Sequence, residues 1–260
     1  NLKIGSDHQL ADSIERKIKD EKYAPAAVIG DLMQHGWPSD VRTCVKTLYN
    51  YIDRGLFPGI NHEELPFKKK RTKPTTHRRR KVAWNNRGGK SIEERPEEVN
   101  QRQAFGHWEI DLVIGRKGTK PVLLTLVERK TRKSLYILVK NKSQKEVLQA
   151  LRRMKRRNKG DFTEVFKSIT ADNGSEFLDG AGLKKATGCE EVYYAHPFSS
   201  WERGSNENGN RILRRFLPKG TDFSQLKAET LQRIEDWVNN YPRKIFGYKT
   251  ANDMYAALVS

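Results

Sequence analysis

The sequence of 260 residues is poor in cysteine and in long apolar runs, and each scarcity excludes a class of protein. Its two cysteines, Cys44 and Cys189, lie far apart without metal-ligand spacing, which argues against a disulfide framework or a zinc knuckle. We expect both to be small, packed side chains in a reducing compartment. No apolar run approaches the roughly 18 to 20 residues that span a bilayer, so we expect no membrane partner.

Acidic residues are the minority charge. The chain has 50 lysines and arginines against 32 aspartates and glutamates, which gives a formal net charge of +18. A polyanionic partner is expected, because neutralising phosphates with cations releases counterions and favours binding. On charge alone, a merely soluble basic protein remains the alternative. With 36% hydrophobic and 32% charged residues, the composition suits one main domain and a smaller one.

Residues 6–57 have the pattern of a small all-helical domain. Apolar residues at fourfold spacing mark the first helix: Leu10, Ile14 and Ile18. A second helix is predicted over 24–35, and Gly36 and Pro38 then break the chain. Ser39 is the predicted N-cap of a third helix that runs to about residue 53.

The third helix has an apolar seam and a polar side. The seam consists of Val41, Val45, Leu48 and Ile52. The polar side carries residue types that meet phosphates or base edges in a major groove: Arg42, Thr43, Lys46, Thr47 and Asn50. This pattern predicts a helix-turn-helix DNA-binding domain over 1–57, and an ordinary three-helix packing unit remains the alternative.

Residues 58–104 are interpreted as a basic linker. Lysine and arginine cluster at 68–73 and 77–81, and apolar residues are few. Arg78, Arg79 and Arg80 are predicted to contact the phosphate backbone of DNA, although such runs are often only solvated tethers.

Residues 105–260 change to a strand pattern. Three short segments rich in Val, Ile, Leu and Thr predict an antiparallel meander: 107–114, 121–128 and 133–140. Strands ending at residue 172 and covering 190–194 follow. Helices are predicted to alternate with or follow these strands: 143–157, 175–187, a helix carrying Glu207, 223–240 and 251–258. Together they predict an α/β domain with a mixed five-stranded sheet flanked by helices.

Three carboxylates in this domain are candidate catalytic groups. Strand alternation puts Asp111 on the sheet face that it shares with Glu109, and Asp172 ends a strand before an Asn-Gly turn. On a helical projection of about 100° per residue, Glu207 shares a face with Arg211 and Arg214. Ordinary turn chemistry could explain Asp172, and a solvated salt-bridge stripe could explain Glu207.

Hard oxygen ligands without histidine or cysteine favour Mg²⁺ or Mn²⁺ over zinc. Two such ions about 3.5 to 4 Å apart can support in-line displacement at a phosphodiester. The carboxylates therefore predict a two-metal site for cutting nucleic acid. His107 and His196 are interpreted as structural.

Four segments together resemble bacterial insertion-sequence transposases of the IS-thirty family, within the DDE transposase and retroviral integrase superfamily. The segments are HWEIDLV at 107–113, TADNGSEF at 170–177, PFSSWERGSNENGNRILRRFLPKGTDFS at 197–224 and NNYPRKIFGYKT at 239–250. The 34 residues that separate Asp172 from Glu207 are close to the family spacing, and Arg214 occupies the basic position seven residues after the glutamate.

The resemblance implies a ribonuclease H-like fold, a catalytic and metal-binding triad of Asp111, Asp172 and Glu207, and DNA cleavage followed by strand transfer. It also implies double-stranded DNA as partner, with Arg211 and Arg214 near the phosphate, a homo-oligomer on DNA and a bacterial cytoplasmic location. Because the sequence begins at Asn1, we expect a further DNA-binding element upstream. Rival hypotheses are a non-catalytic DNA-binding regulator and a ribonuclease H-type nuclease without strand transfer.

The basic linker generates a first prediction. Replacing Arg78, Arg79 and Arg80 together by glutamine should reduce the slope of log binding constant against log salt by about 3, because each lost phosphate contact removes about 0.9 from it. Binding titrations on random duplex DNA at several salt concentrations measure this slope. An unchanged slope would show that the segment is only a tether.

Overall fold

The computed structural model describes residues 7–60, 88–157, 162–197 and 199–259, together with Ile4 and Leu65. The chain divides into two compact units, one comprising residues up to 76 with 240–257, and the other 77–239 with 258–260. Among the described residues, no helix combines the length and apolar character needed to cross a membrane.

The first unit begins with the three helices that the sequence predicts. They are α1 (His8–Lys19), α2 (Pro25–His35) and α3 (Val45–Asp53). Asp7 caps α1, since its carboxylate accepts a hydrogen bond from the Leu10 amide at 3.0 Å. The apolar faces meet in one core that includes Leu10, Ile14, Ile18, Val28, Leu48 and Ile52. The predicted seams of the first and third helices are therefore confirmed at these positions.

The predicted start of the third helix is wrong. The Ser39 hydroxyl contacts the carboxylate of Asp7, the residue that caps α1, and α3 begins six residues later at Val45. The Ser39 side chain, which the sequence predicts to cap α3, thus contacts a residue that is distant in sequence. Arg42 consequently lies before the helix, with its guanidinium 5.3 Å from the Trp37 ring centroid.

Side chains around the start of α3 differ from the prediction in two further ways. Thr43, predicted to face DNA, is buried in the first unit. Cys44, predicted to be packed, is exposed, whereas Cys189 is buried. On α3 itself Lys46 and Asn50 remain exposed, and Thr47 is half-buried. Of the five residues predicted to form the polar side of this helix, Lys46 and Asn50 are thus the two that lie exposed on α3.

The segment 240–257 belongs to the first unit, although the sequence places it in the catalytic domain. Tyr241 packs edge-on against Tyr23 with ring centroids 5.4 Å apart. The Gln34 side-chain amide donates to the Gly247 carbonyl at 3.0 Å. The Tyr248 ring lies so close to Gly30 that a Cβ there would come within 2.0 Å of it. Helix α10 (Ala251–Val259) ends this segment.

The second unit contains a mixed sheet of six strands. These are β1 (Lys90–Ser91), β2 (His107–Ile114), β3 (Val122–Glu128), β4 (Ser134–Val139), β5 (Ser168–Ala171) and β6 (Glu191–Tyr194). Their order is β1-β6-β5-β2-β3-β4. Strands β2, β3 and β4 form the predicted antiparallel meander, whereas β5 and β6 run parallel to β2. The ribonuclease H-like α/β class predicted from the sequence is confirmed.

The predicted number of five strands is wrong, because β1 pairs in parallel with β6 at the sheet edge. This two-residue strand lies within the predicted linker and is too short to show alternation. Its Lys90 ammonium binds the Glu191 carboxylate at 2.9 Å, and α4 (Glu97–Asn100) follows. The linker residues Arg78, Arg79 and Arg80 lie outside the described residues.

Helices flank the sheet of the second unit. They are α5 (Gln144–Arg157), α6 (Phe162–Val165), α7 (Gly180–Thr187), α8 (Gly204–Leu213) and α9 (Ala228–Asn240). The helix predicted from residue 175 begins only at Gly180, because the Asp179 carboxylate accepts from the Gly182 amide at 2.8 Å and caps it there. Below α8 and α9 lies a core that includes Val113, Leu123, Ile212, Leu213, Phe223 and Val238.

The exposed side of α3 generates a second prediction. Asn50→Ala should weaken binding to a cognate element end by about 1 to 3 kcal/mol, because an asparagine amide can pair bidentately with an adenine edge. Binding to a scrambled duplex of equal length and salt should change far less. The matched control on the same helix is Lys46→Ala, whose charge should matter equally on both duplexes. If Asn50→Ala, like Lys46→Ala, weakens binding to both duplexes equally, then α3 contacts only the phosphate backbone of DNA.

Candidate active site

Asp111 and Asp172 are brought together by the parallel pairing of β2 with β5. Residues His107, Trp108 and Glu109 pair with Ser168, Ile169 and Thr170, which is a constant offset of 61 positions. The same offset relates Asp111 to Asp172, and neighbouring strands lie about 4.8 Å apart. The two aspartates therefore lie side by side, one on β2 and one just beyond the end of β5.

A single arginine bridges these two carboxylates. Nη1 of Arg203 lies 3.4 Å from Oδ1 of Asp111, and its Nη2 lies 3.1 Å from Oδ2 of Asp172. Nη1 also donates to the Ile110 carbonyl at 3.2 Å. The Arg203 side chain is only 12% exposed, compared with 26% for Asp111 and 38% for Asp172. The guanidinium thus neutralises part of a compact acidic site at the carboxyl end of β5.

Each aspartate has a second partner that fixes its orientation. The Asn210 side-chain amide donates to Oδ2 of Asp111 at 2.9 Å. The Gly174 backbone amide donates to Oδ1 of Asp172 at 2.9 Å. Burial raises the pKa of the Asp111 carboxyl, while the nearby Arg203 lowers it and the neighbouring Asp172 raises it further.

Glu207 lies on the same face of α8 as Asn210, one turn before it. Since residues three apart on a helix are neighbours, the contact of Asn210 with Asp111 shows that the face of α8 that also carries Glu207 is the one turned toward Asp111. Glu207 is exposed, and among the described residues it has no hydrogen bond or ion pair. Its carboxylate is available for a ligand.

A buried ion pair holds α8 in this position. Glu109, on β2 two residues before Asp111, is fully buried and paired with the Arg129 guanidinium. The other oxygen of Glu109 accepts from the Asn206 backbone amide in the first turn of α8 at 2.7 Å. Thr125 on β3 donates to the Asn206 side-chain oxygen at 3.2 Å. The helix that carries Glu207 is therefore anchored to the sheet through buried polar groups.

Helix α8 also approaches the sheet closely. A Cβ added to Gly209 would lie 3.1 Å from a Val127 methyl group on β3. The glycine allows the backbone of α8 to lie near β3. Glu176, the other acidic residue near Asp172, is buried and paired with Lys142 at 3.2 Å.

The carboxylates of Asp111 and Asp172 are donors of the kind that suits divalent ions. In this structure the Arg203 guanidinium contacts both of them. Within the described ranges, no three acidic, histidine or cysteine side chains are placed to hold a metal ion together. However, the Arg203 guanidinium contacts both Asp111 and Asp172, so an oxygen of each aspartate lies within reach of one cation. Carboxylate oxygens are the ligands that Mg²⁺ and Mn²⁺ prefer.

The remaining predicted residues lie around the site in different roles. Arg214 ends α8 and donates from Nη2 to the Ile114 carbonyl at 2.8 Å, whereas Arg211 is exposed and binds the Asn208 side chain at 2.5 Å. His107 contacts the Ser168 hydroxyl at 2.7 Å, and burial lowers its pKa to about 4. Arg214 therefore stabilises the fold locally, and only Arg211 leaves its side chain on the surface.

His196 has partners next to the site. Its Nδ1 lies 2.7 Å from Glu202, and its Nε2 lies 3.2 Å from Glu93. Hydrogen bonding to Glu202, together with the charges of both glutamates, raises the pKa of His196. Glu202 directly precedes Arg203, so this pair supports the short 3₁₀ turn Ser200–Arg203 that delivers the bridging arginine.

Comparison with known proteins identifies the family of the chain. The family model described as integrase core domain matches residues 101–192, which include Asp111 and Asp172. A transposase for insertion sequence element IS1086 of Cupriavidus metallidurans is 31% identical over 95% of this chain and 72% of its own length. The chain belongs to the insertion-sequence transposases. The resemblance within the DDE and retroviral integrase superfamily is thereby confirmed.

Other relatives are covered less fully. A probable transposase for IS1161 of Streptococcus salivarius is 43% identical over 81% of this chain and 58% of its own length. The transposase InsI for IS30A of Escherichia coli is 33% identical over 82% of this chain and 54% of its own length. The chain thus spans little more than half of these two relatives. The catalytic core of BIV integrase is similar at a TM-score of 0.45, with 16% identity, over 59% of this chain and 95% of that one.

Sequence reasoning missed Arg203 and the buried pair that anchors α8. Arg203 precedes Glu207 by four residues, so helical spacing was a signal that could have placed it on the same face. For Glu109, strand alternation predicts only that it shares a sheet face with Asp111. Its pairing with Arg129 on the loop after β3 has no signature in sequence, because it depends on how the strands and α8 stack.

The anchor of α8 generates a third prediction. Glu109→Gln should lower the free energy of unfolding by about 3 to 5 kcal/mol, because it leaves the buried Arg129 charge without its partner. Chemical denaturation measures this loss. The control is Glu190→Gln, an exposed glutamate in the second unit, which should change stability by less than about 0.5 kcal/mol. A Glu109→Gln protein as stable as the control would refute the anchoring role.

Proposed function

We propose that this chain is the DNA-binding and catalytic part of a DDE transposase that cleaves a phosphodiester at the ends of its mobile element and transfers the resulting 3′ hydroxyl to another strand. The observation that carries the proposal is the meeting of Asp111, Asp172 and the face of α8 that bears Glu207 at one end of the sheet. Membership of the insertion-sequence transposases supports the reaction class.

Asp111, Asp172 and Glu207 would hold two divalent ions, Mg²⁺ or Mn²⁺. Such ions, when bound, activate an attacking oxygen and stabilise the leaving oxygen of an in-line displacement. The chain's own residues prepare this site. Asn210 and the Gly174 amide orient the two aspartates, and buried Glu109 fixes the first turn of α8. This reaction requires no side-chain nucleophile and no covalent enzyme intermediate.

The substrate proposed is double-stranded DNA, both as element ends and as target. A formal net charge of +18 supports a polyanionic partner, since it would be neutralised by phosphates. We propose that α3 contributes contacts through Lys46 and Asn50, and α8 through Arg211. A homo-oligomer assembled on DNA, in the nucleoid of a bacterial cytoplasm, completes the proposal, because two element ends must be joined to one target.

The carboxylates generate the fourth prediction. Asp111→Asn, Asp172→Asn and Glu207→Gln should each lower Mg²⁺-dependent cleavage of a labelled element end by at least about 100-fold, because each removes a charged ligand from the proposed metal site. DNA binding should largely survive, as measured by titration on the same duplex. The matched control is Glu229→Gln, an exposed glutamate on α9, which should cleave normally.

Two outcomes would contradict the proposal in different ways. Near wild-type cleavage by one amide variant would remove that residue from the site. Cleavage without joining of the 3′ hydroxyl to a second strand, in an assay with labelled ends and a supercoiled target, would favour a ribonuclease H-type nuclease. Absence of both activities with intact DNA binding would favour a non-catalytic regulator.

A further inference from the structure

Arg203 occupies the place between the catalytic aspartates that a cation must take. It is the last residue of the 3₁₀ turn before α8, and its guanidinium reaches both Asp111 and Asp172 within 3.4 Å. A carboxylate that coordinates Mg²⁺ brings its oxygen to about 2.0 to 2.1 Å from the ion. The ion and the guanidinium would therefore compete for the same oxygens.

The hydrogen bonding of Arg203 is incomplete in this position. Its Nε is buried and has no hydrogen-bond partner, although both Nη atoms are bonded. A buried donor left without a partner costs free energy, which disfavours this arrangement of the Arg203 side chain. The contact is maintained by attraction to two neighbouring carboxylates, and it weakens once another cation neutralises them.

We propose that Arg203 is a built-in counterion that holds the metal-free site together and is displaced when divalent ions bind to Asp111 and Asp172. This inference rests on the metal site of the proposed function. Without the guanidinium, two aspartates on adjacent strands would repel each other. With it, a dication must overcome one positive charge before it enters, so Arg203 lowers the affinity of the free protein for metal.

The same competition links metal binding to DNA. A phosphate offers a guanidinium a bidentate partner of the same geometry as a carboxylate. Duplex DNA at the site would therefore draw Arg203 away from the aspartates and increase their affinity for metal. By linkage, metal would increase the affinity for DNA to the same degree. The protein would load metal mainly when its substrate is present.

The test measures Mn²⁺ binding to the full chain without DNA. Electron paramagnetic resonance reports the concentration of free Mn²⁺ at each point of the titration. Arg203→Gln should bind Mn²⁺ about tenfold more tightly than the wild-type chain, because one closely apposed charge is removed from a partly buried site. Arg203→Lys keeps the charge but cannot bridge both aspartates, so it should fall between the two. If circular dichroism shows that Arg203→Gln fails to fold, the Mn²⁺ affinity of Arg203→Lys tests the proposal instead.

The matched control is Arg233→Gln, which removes the same charge from an exposed position on α9. Its Mn²⁺ affinity should stay within about twofold of wild type, since net charge alone acts weakly through solvent. Adding duplex DNA should increase the Mn²⁺ affinity of the wild-type chain but much less that of Arg203→Gln.

The outcomes separate this inference from the proposed function. If Asp111→Asn abolishes Mn²⁺ binding while Arg203→Gln and Arg203→Lys bind no more tightly than wild type, the metal site stands and the counterion role is refuted. If neither the wild-type chain nor Arg203→Gln binds Mn²⁺ with or without DNA, the metal site itself is refuted, and the counterion role with it.

Discussion

The parallel pairing of β2 with β5 is the constraint on which the site depends. It fixes the offset between the two strands, so that Asp111 and Asp172 lie side by side although they are distant in sequence. A slip of one residue would turn Asp111 to the other face of the sheet. Burial of Trp108 and Ile169 on these strands makes such a slip unfavourable. The register of β2 and β5 thus determines where the two aspartates of the proposed catalytic site meet.

Neighbouring carboxylates in a partly buried site repel each other, and two arginines offset this repulsion at different depths. Nearer the solvent, Arg203 contacts both Asp111 and Asp172. Beneath it, Arg129 neutralises Glu109, whose second oxygen anchors the start of α8. The deeper pair is buried, whereas the outer one borders solvent and is the pair that we propose to exchange with metal. A buried ion pair and a proposed exchangeable one therefore lie only two residues apart along β2.

Much of the fold follows from local patterns. Alternating strands and amphipathic helices were predicted within a few residues where burial agrees with periodicity, as for Leu10, Ile14 and Ile18 on α1. Two of the failures occurred where a polar side chain had a choice of partners. Ser39 contacts Asp7 instead of capping α3, and Asp179 rather than Ser175 determines where α7 begins. Such choices depend on residues that are distant in sequence or on competing local caps.

The sequence by itself determined which groups are available for the proposed chemistry: the three carboxylates, their spacing along the chain and a basic composition that suits a phosphodiester. These are properties of residue type and order. Only the tertiary structure decided that Arg203 lies between Asp111 and Asp172, that Glu109 is an anchor rather than a ligand, and that 240–257 packs with the helical unit. The physical reason is that the direction of a charged side chain depends on which neighbours remove it from water, and those neighbours come from other elements.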